Sequence, residues 1–581
     1  MEKGDKLDGL RHSLAHLLAA AVRELYPGSQ NAIGPAIENG FYQDFEMSKQ
    51  ISDEDLPKIE MKMRELLPKW TEWTKRIVTL PEVKKEFSWN KYKVELAEEF
   101  AREKKTLTFF TCGGLIDLCK GGHNLPPATM DPRSFKLDHI AGAYWRGNEK
   151  NKMLTRIYGL AFATKEELEA YVNQREEAKK RDHKKLGKEL GLFTVSDLVG
   201  KGLPMYLPKG NIIKTELENF IRHEKEKLGY SFVTIPHIAR KELYIKSGHM
   251  GKYDAMMPIM TDENGDEFVM KAMNCPHHFE IYNAEQHSYR DLPFRIAENT
   301  TVYRNEKSGE LAGLLRVKNL TQDDTHHCIR PDQIESEIEI IFGLMQKVYG
   351  LFGFNDYKVE ISIRDPLNKE KYFGNDETWE KAENILVQSA KKMGLKYSIE
   401  EGEAAFYGPK IDIKIKDSIG REWQLATIQL DFNQPENFEM DYVGEDGKKH
   451  RIVVLHVAIF GSFERFMGIL IEHYAGAFPL WLSPVQVKVI PVRSNHNEYA
   501  KEIFDLLKEN GIRTELDDGD SNLGGKVRDA KNNKIPYWIV VGDKEIEAKK
   551  VNLESRDAGQ IGQMSKEELL QKLLEEIKNK K

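Results

Sequence analysis

Residues 301–316 read TVYRNEKSGELAGLLR, with arginines on both sides of a glycine-containing loop between apolar segments. Arginine forks suit phosphate oxygens, and a flexible loop of this kind can close over a nucleotide. On its own, this stretch is weak evidence for a nucleotide-binding site, since arginines are common in surface hairpins. Residues 459–466, IFGSFERF, place Arg465 after a small Gly-Ser turn at the start of an apolar helix. An ordinary helix start, with Glu464 near the positive end of the dipole, explains this second stretch equally well.

The composition is that of a globular chain. Its 581 residues allow about three to five domains. No apolar run approaches the ~20 residues that span a bilayer, and the first residues lack a secretory signal. Only four cysteines occur, which predicts a reducing, cytoplasmic location. The 86 basic and 93 acidic residues give a net charge of −7, which neither supports nor excludes RNA binding.

Periodicity along the chain predicts several domains. Residues 10–26 carry a helical apolar stripe that ends at Pro27-Gly28. Residues 165–190 are charged and rich in helix formers, which predicts a linker helix, or else a charged surface helix within one domain. The tail alternates strands with helices, which indicates a small, mainly parallel α/β domain. The predicted divisions are 1–164, 165–190 (the linker helix), 191–482 and 483–581.

Two pairs of metal-binding residue types occur near the N-terminus. His12 and His16 are four residues apart on a predicted helix and share a face. Cys119 and His123, in DLCKGGH, are also four apart. The pattern indicates zinc and, as a first interpretation, a metal-dependent hydrolase. Two unrelated polar pairs are the alternative.

Several blocks of the central region resemble those of class II aminoacyl-tRNA synthetases. RNE at 304–306 resembles motif 2, GSFERF at 461–466 resembles motif 3, and Pro236 stands where motif 1 has its proline. Further blocks are typical of threonyl-tRNA synthetases: MNCP at 273–276, TQDDTH at 321–326, FYGPKID at 406–412 and TIQLDF at 427–432. The resemblance covers essentially the whole chain, in the right order.

This resemblance implies an α+β multidomain fold. It consists of a class II antiparallel catalytic core (191–482), an α+β editing domain (1–164) and an α/β anticodon-binding domain (483–581). It implies a threonine–tRNA ligase that uses ATP with Mg²⁺, acts on tRNA(Thr), and forms a homodimer through motif 1. It also implies zinc on Cys275, His326 and His456, three residues that no spacing rule would group. Three protein ligands leave zinc the open position that a catalytic site needs.

The resemblance also assigns roles around the substrates. Asp324 is expected to accept a hydrogen bond from the threonine hydroxyl. The expected lining of the amino-acid pocket is Gln322, Tyr407, Gln429 and Met273. The expected ATP contacts are Arg304 to the α-phosphate, Glu306 to the adenine, and Arg465 across the adenine to the γ-phosphate. Arg316 and Lys410 are further expected phosphate or carboxylate contacts.

The N-terminal region resembles the editing domain shared by threonyl- and alanyl-tRNA synthetases. In the threonyl family the pocket is described without metal, so none is expected here. Its expected residues are His12, His16, Lys93, Asp117, Cys119 and His123. A site that binds the hydroxyl of threonine rejects valine, which has none. Serine keeps the hydroxyl and lacks only a methyl group, so the pocket discriminates against it by only ~1–3 kcal/mol. A second site that hydrolyses seryl-tRNA is therefore expected.

Three departures from the family pattern qualify this interpretation. His277 stands where the family usually has glycine after MNCP, next to the predicted metal ligand. Glu545 in GDKE is the expected anticodon contact, with Asn497, Arg528 and Lys544 as further possibilities, but Glu554 replaces a common arginine nearby. The ubiquitin-like domain that usually precedes the editing domain is expected to be absent. A stand-alone editing hydrolase and a non-catalytic RNA-binding relative are the alternative functions.

Overall fold

The computed structural model describes residues 3–123, 125–417 and 420–581. The chain divides into two compact units, Met1–Glu176 and Glu177–Lys581. Within the described ranges, no helix is both long and apolar enough to cross a membrane.

The first unit combines helices with two antiparallel sheets. Its helices are α1 (Lys3–Leu25), α2 (Leu56–Leu66), α3 (Leu80–Glu86) and α4 (Lys91–Arg102). Its strands are β1 (Gln30–Asn31), β2 (Ala36–Ile37), β3 (Gly40–Glu46), β4 (Thr74–Val78), β5 (Leu107–Cys112), β6 (Leu115–Leu118), β7 (Phe135–Tyr144) and β8 (Met153–Ala161). One sheet has the order β1-β3-β8-β7 with β2 beside β3, and the other has the order β4-β5-β6.

Helix α1 carries the stripe predicted for residues 10–26. Leu14, Leu17, Leu18 and Val22 are fully buried against the sheet and α2. The helix ends before Pro27-Gly28, where Gly28 adopts a φ of +88° that favours glycine. The predicted helix is confirmed, and it begins earlier, at Lys3.

The charged segment 165–190 forms two helices, so the prediction of one continuous helix is wrong. They are α5 (Lys165–Arg181) and α6 (His183–Glu189). Asp182 interrupts them because its carboxylate caps α6, accepting from the backbone amides of Lys184 and Lys185. His183 is buried, with Nδ1 2.8 Å from Glu472 Oε1. A buried polar contact in the second unit therefore replaces the predicted solvated helix at this point.

The second unit holds the remaining elements. Its further helices are α7 (Pro208–Lys227), α8 (Lys241–Lys246), α9 (His249–Lys252), α10 (Cys275–Asn283), α11 (Ile334–Leu351), α12 (Asp376–Lys392), α13 (Asn433–Phe438), α14 (Phe463–His473), α15 (Asn497–Glu509), α16 (Leu523–Asn532), α17 (Asp543–Ala548) and α18 (Lys566–Lys578). Its strands are β9 (Phe193–Thr194), β10 (Met205–Tyr206), β11 (Ser231–Phe232), β12 (Ile238–Arg240), β13 (Met260–Thr261), β14 (Glu267–Met270), β15 (His287–Ser288), β16 (Phe294–Tyr303), β17 (Asn319–Ile329), β18 (Tyr357–Ile363), β19 (Tyr397–Glu401), β20 (Lys410–Lys416), β21 (Glu422–Asp431), β22 (Asp441–Val443), β23 (Lys449–Arg451), β24 (Val453–Ala458), β25 (Val487–Pro491), β26 (Thr514–Leu516), β27 (Tyr537–Val541), β28 (Val551–Ser555) and β29 (Gly559–Met564).

An eight-stranded sheet forms the centre of this unit, in the order β11-β16-β17-β24-β21-β20-β18-β19. The strands from β16 to β18 are antiparallel, and the edge strands β11 and β19 pair in parallel. One face packs on α11 and α14, with Ile341, Met467 and Leu455 among the buried core residues. The antiparallel catalytic core predicted from the resemblance is confirmed.

Strand register brings distant residues together on the central sheet. His326 on β17 pairs with His456 on β24, and His456 pairs in turn with Gln429 on β21. Gln429 pairs with Lys410 on β20. Directly paired residues lie on the same face of a sheet. One row across four strands therefore carries four of the predicted site residues.

The C-terminal sheet has the order β26-β25-β27-β28-β29. Its first three strands are parallel and alternate with α15 and α16, as the tail sequence predicts. Strands β28 and β29 join antiparallel at one edge.

Candidate active site

An open cleft of about 690 Å³ lies over the central sheet. It contains every residue predicted for the catalytic site. These are Met273, Cys275, Arg304, Glu306, Arg316, Gln322, Asp324, His326, Tyr407, Lys410, Gln429, His456 and Arg465. The structure therefore brings the scattered motifs into one concave site.

Cys275, His326 and His456, the core cluster, form one corner of this cleft. Their ligand atoms lie within 4.8 Å of one another, and all three residues are buried. His326 Nε2 is 3.0 Å from His456 Nδ1. The two histidines lie on β17 and β24, and Cys275 lies in the first turn of α10. One sulfur and two nitrogens at this separation are a donor set that suits a divalent metal with an open position.

The charges around the core cluster fit a bound cation. Burial lowers the pKa of His326, so its ring is neutral and keeps a lone pair for a metal. Burial and the nearby carboxyls of Asp324 and Asp431 raise the pKa of the Cys275 thiol. Burial also raises the pKa of Asp324. The corner is therefore short of positive charge, which a divalent ion would supply.

The predicted amino-acid pocket surrounds this corner. Asp324 accepts a hydrogen bond of 2.9 Å at Oδ2 from the side-chain amide of Asn274. Gln429 donates to the backbone carbonyl of Gly408 at 3.1 Å. The Tyr407 ring lies 5.0 Å from the His456 ring, centre to centre. Side chains that make hydrogen bonds and contacts of this kind are held in place before a ligand arrives.

Arginines gather at the other end of the cleft. Arg465 lies in the first turn of α14, where Ser462 caps the helix by accepting from its backbone N–H. Its guanidinium donates to the carbonyls of Leu315 and Gln424, at 2.9 and 2.8 Å. Burial and the nearby charges of Arg304 and Arg316 lower its pKa to about 10. Crowded cations of this kind make a site for an anion such as a polyphosphate.

Three of the remaining predicted ATP contacts, Glu306, Arg316 and Lys410, form ion pairs within the chain. Arg316 pairs with Glu306 at 2.9 Å and with Glu310 at 2.7 Å. Lys410 pairs with Asp412. The Arg304 Nε atom is buried and has no hydrogen-bond partner among the described residues, which leaves it available to a ligand.

The first unit contains a second group, the N-terminal cluster of His12, His16, Cys119 and His123. His12 Nε2 lies 3.0 Å from His16 Nε2 and 3.2 Å from Cys119 Sγ. His123 Nε2 is 3.4 Å from the same sulfur. The two sequence pairs meet because β6 ends beside the face of α1 that carries the histidines.

Charged groups stabilise a thiolate in the N-terminal cluster. Burial would raise the pKa of Cys119, but hydrogen bonds from His12, His123 and His16 outweigh it and lower the pKa to about 3. Burial would lower the pKa of His16, but Asp117 and Cys119 raise it to about 9. Lys93 forms an ion pair of 2.7 Å with Asp117. These shifts favour a thiolate at Cys119 beside an imidazolium at His16.

Sequence reasoning missed several side chains that complete the two clusters. Asn274 lies within the MNCP block but was not assigned a role. Ser13 Oγ lies 2.9 Å from His123 Nδ1, and the Trp73 ring stacks on His123 at 3.9 Å. Asp431 Oδ2 lies 2.9 Å from His456 Nε2. Ser13 adjoins His12 in sequence, whereas nothing in the sequence around Trp73 connects it to this site.

Residue His249 was also missed. It is fully buried, with its ring 5.3 Å from the Phe406 ring and 6.0 Å from the Tyr407 ring. Its Nδ1 bonds to Ser247, whereas its Nε2 has no partner among the described residues. Burial lowers its pKa to about 3, so the ring is neutral.

The predicted anticodon contact Glu545 lies on α17. Its carboxylate accepts from the backbone N–H of Gly542 at 3.0 Å and so caps its own helix. Arg528 and Lys544 are exposed, and Asn497 is half-buried. Glu554 accepts from the Trp538 indole at 2.9 Å.

Comparison with known families defines the class. Residues 257–474 match the tRNA synthetase class II core domain (G, H, P, S and T), and residues 486–576 match the anticodon binding domain. The fold and the cleft are thus those of a class II tRNA synthetase.

Individual relatives narrow this class. The chain is 47% identical to a threonine–tRNA ligase of Deinococcus radiodurans, over 99% of this chain and 90% of that protein. It is 48% identical to a threonine–tRNA ligase of Bacteroides fragilis, over 98% and 88%. A solved RNA binding domain of threonyl-tRNA synthetase from Cryptosporidium parvum superposes with a TM-score of 0.65 at 34% identity, covering 68% of this chain and 98% of that one. The chain belongs to the threonine–tRNA ligase family.

Proposed function

We propose that this enzyme activates threonine with ATP and transfers it to the 3′ end of tRNA(Thr). The observation that carries the proposal is the core cluster, which shares one cleft with the arginines of motifs 2 and 3. Neither alternative function needs that combination. A stand-alone editing hydrolase would need no ATP site, and a non-catalytic RNA-binding relative would need neither site.

Zinc is the metal that we propose for Cys275, His326 and His456. When bound, it supplies open coordination positions for the amino and hydroxyl groups of threonine. Asp324, held by Asn274, accepts the hydrogen bond of that hydroxyl. Valine has no hydroxyl and would leave these groups unpaired. Sites of this kind discriminate by roughly 10⁴–10⁵.

The arginines align and stabilise the phosphates in the first reaction. The threonine carboxylate attacks the α-phosphorus of ATP and expels pyrophosphate, so the site needs alignment and charge stabilisation. Arg304 supports the α-phosphate, and Arg465, whose guanidinium also donates to the carbonyls of Leu315 and Gln424, contacts the γ-phosphate. Mg²⁺ accompanies the ATP. We further propose that the enzyme is a cytoplasmic homodimer and that Glu545 contacts the anticodon.

Hydrolysis of mischarged seryl-tRNA is the second proposed activity, at the N-terminal cluster. Serine keeps the hydroxyl and lacks one methyl, worth only ~1–3 kcal/mol of discrimination. The thiolate–imidazolium pair can position a water, and Lys93 can orient the terminal ribose. We propose that the reaction proceeds without a metal, because His16 and Lys93 already supply positive charge.

ATP–pyrophosphate exchange tests the first activity. Exchange should depend on threonine, proceed measurably with serine and fail with valine. Deacylation of seryl-tRNA(Thr) tests the second activity, with threonyl-tRNA(Thr) as the control. Exchange that is absent with threonine, or equal with valine, would contradict the proposal.

A further inference from the structure

His278 lies three residues after Cys275, on the same face of α10. Its Nδ1 is 2.7 Å from Nδ1 of His326, and both rings are buried. His277, its neighbour, has its ring 6.2 Å from the Tyr244 ring, centre to centre, and makes no hydrogen bond to the core cluster. The two adjacent histidines of MNCPHH therefore have different surroundings, and only His278 touches the core cluster.

The proton positions follow from this geometry. Nε2 of His326 faces His456 inside the cluster, so it is the atom that would bind the proposed metal and would then carry no proton. With Nε2 on the metal, the ring proton of His326 would lie on Nδ1, which is within hydrogen-bond distance of Nδ1 of His278. If Nδ1 of His278 accepts this hydrogen bond, the proton of the His278 ring lies on Nε2.

Glu298 terminates this chain of contacts. Its Oε2 lies 3.7 Å from His278 Nε2, and neither atom has a hydrogen-bond partner among the described residues. Its other oxygen accepts from the backbone N–H of Ile235 at 2.9 Å. Glu298 is thus fixed to the backbone beside motif 1 and presents its free oxygen to His278.

The other histidine of the core cluster has a simpler arrangement. His456 Nε2 lies 2.9 Å from Asp431 Oδ2, a direct contact with a carboxylate. Asp431 is itself held by the backbone amides of Asn433 and Gln434. Histidines that bind metals usually donate their other N–H to such a partner, which fixes the tautomer and the ring orientation. His326 also requires an acceptor for the N–H of its second ring nitrogen. His278 occupies the position that a carboxylate occupies beside His456.

We propose that His278, backed by Glu298, is the positioning residue of His326. It accepts the Nδ1 proton of His326 and so keeps Nε2 of that ring free and directed at the metal. This inference rests on the proposed metal site, and it extends the site through a second imidazole to a carboxylate on β16. His277, although adjacent, has no part in it.

Zinc affinity, measured by competition with a chromogenic chelator, tests the proposal independently of catalysis. His278→Leu removes the acceptor and should weaken zinc binding about 10- to 100-fold. His278→Asn offers an oxygen near the position of Nδ1 and should restore most of the affinity. His277→Ala is the matched control and should change the affinity less than about twofold. Melting of the zinc-free proteins checks that the variants fold.

Glu298→Gln gives a second test that does not alter α10. The amide keeps an acceptor for Ile235 but can present a donor to His278, which opposes the required tautomer. Zinc binding should weaken, by less than in His278→Leu. Unchanged zinc affinity in both His278→Leu and Glu298→Gln would overturn the proposed role of His278 and Glu298. A loss of zinc affinity in His277→Ala equal to that in His278→Leu would also overturn it. Absence of zinc from the unmodified enzyme would instead contradict the proposed metal site itself.

Discussion

The core cluster and the N-terminal cluster use the same residue types in opposite electrostatic settings. Around Cys275, burial and the nearby carboxyls of Asp324 and Asp431 raise the thiol pKa, and burial keeps His326 neutral. Around Cys119, hydrogen-bonding histidines lower the thiol pKa to about 3, and the pKa of His16 rises to about 9. The core cluster is therefore short of positive charge near its thiol, whereas the N-terminal cluster has the His16 imidazolium. We propose on this ground that only the core cluster binds a metal, although both clusters offer cysteine and histidine ligands.

The largest difference between the two clusters is expected when each cysteine is changed to serine. Cys275→Ser should reduce threonine-dependent pyrophosphate exchange by roughly 10³-fold or more, because the metal-centred contacts to threonine are lost. Cys119→Ser should leave exchange unchanged. Equal exchange by Cys275→Ser and the unmodified enzyme would show that the core cluster takes no part in activation.

The arginine end of the cleft provides the next test. Arg465→Ala should lower kcat for exchange by roughly 10²–10³-fold, the usual loss when one donor to a developing charge is removed. Zinc content should not change, since Arg465 contacts the carbonyls of Leu315 and Gln424 and not the core cluster. Arg528→Ala, at an exposed position on α16, is the control. A kcat loss below about twofold would count against the assigned role.

A third test separates editing from activation. His16→Ala removes the imidazolium beside Cys119 and should slow hydrolysis of seryl-tRNA(Thr) by about 10²-fold, the lower range for acid–base groups. Exchange with threonine should stay within about twofold of the unmodified rate. Unaltered hydrolysis would place editing elsewhere.

The smallest expected effect concerns the pH dependence of Cys119. Its pKa is depressed to about 3, so the thiolate exists above that pH and is lost as the pH falls through it. His16, raised to about 9, loses its proton only as the pH rises through that value. Alkylation of Cys119 by iodoacetamide should therefore change less than about twofold between about pH 6 and pH 8, where an ordinary thiol speeds up roughly 100-fold. A steep rise over that range would contradict the thiolate assignment.

The sequence predicts a site directly only where the residues of that site lie close together along the chain. The spacing of His12 and His16 on a helix shows half of the N-terminal cluster directly. His326 and His456 become neighbours only through the register of β17 and β24, which no local pattern contains. The family resemblance supplied that pairing. Asn274 and Asp431 were missed because their roles depend on side-chain contacts across the fold.

The fold, too, could be predicted where the pattern is local and not where it depends on contacts between distant residues. The stripe on α1 and the alternating tail are local patterns, and both predictions were confirmed. The break at Asp182 has a local cause, the N-cap of α6, but the burial of the next residue depends on partners far along the chain. His183 is buried against Glu472 and accepts from the backbone N–H of Leu314, contacts that a charge-rich sequence does not reveal.

The zinc content of the purified enzyme and two variants tests the contrast between the clusters most directly. Elemental analysis should find one zinc per chain in the unmodified enzyme and in Cys119→Ser, and none in Cys275→Ser. Two zinc ions per chain, or loss of zinc in Cys119→Ser with retention in Cys275→Ser, would contradict the account.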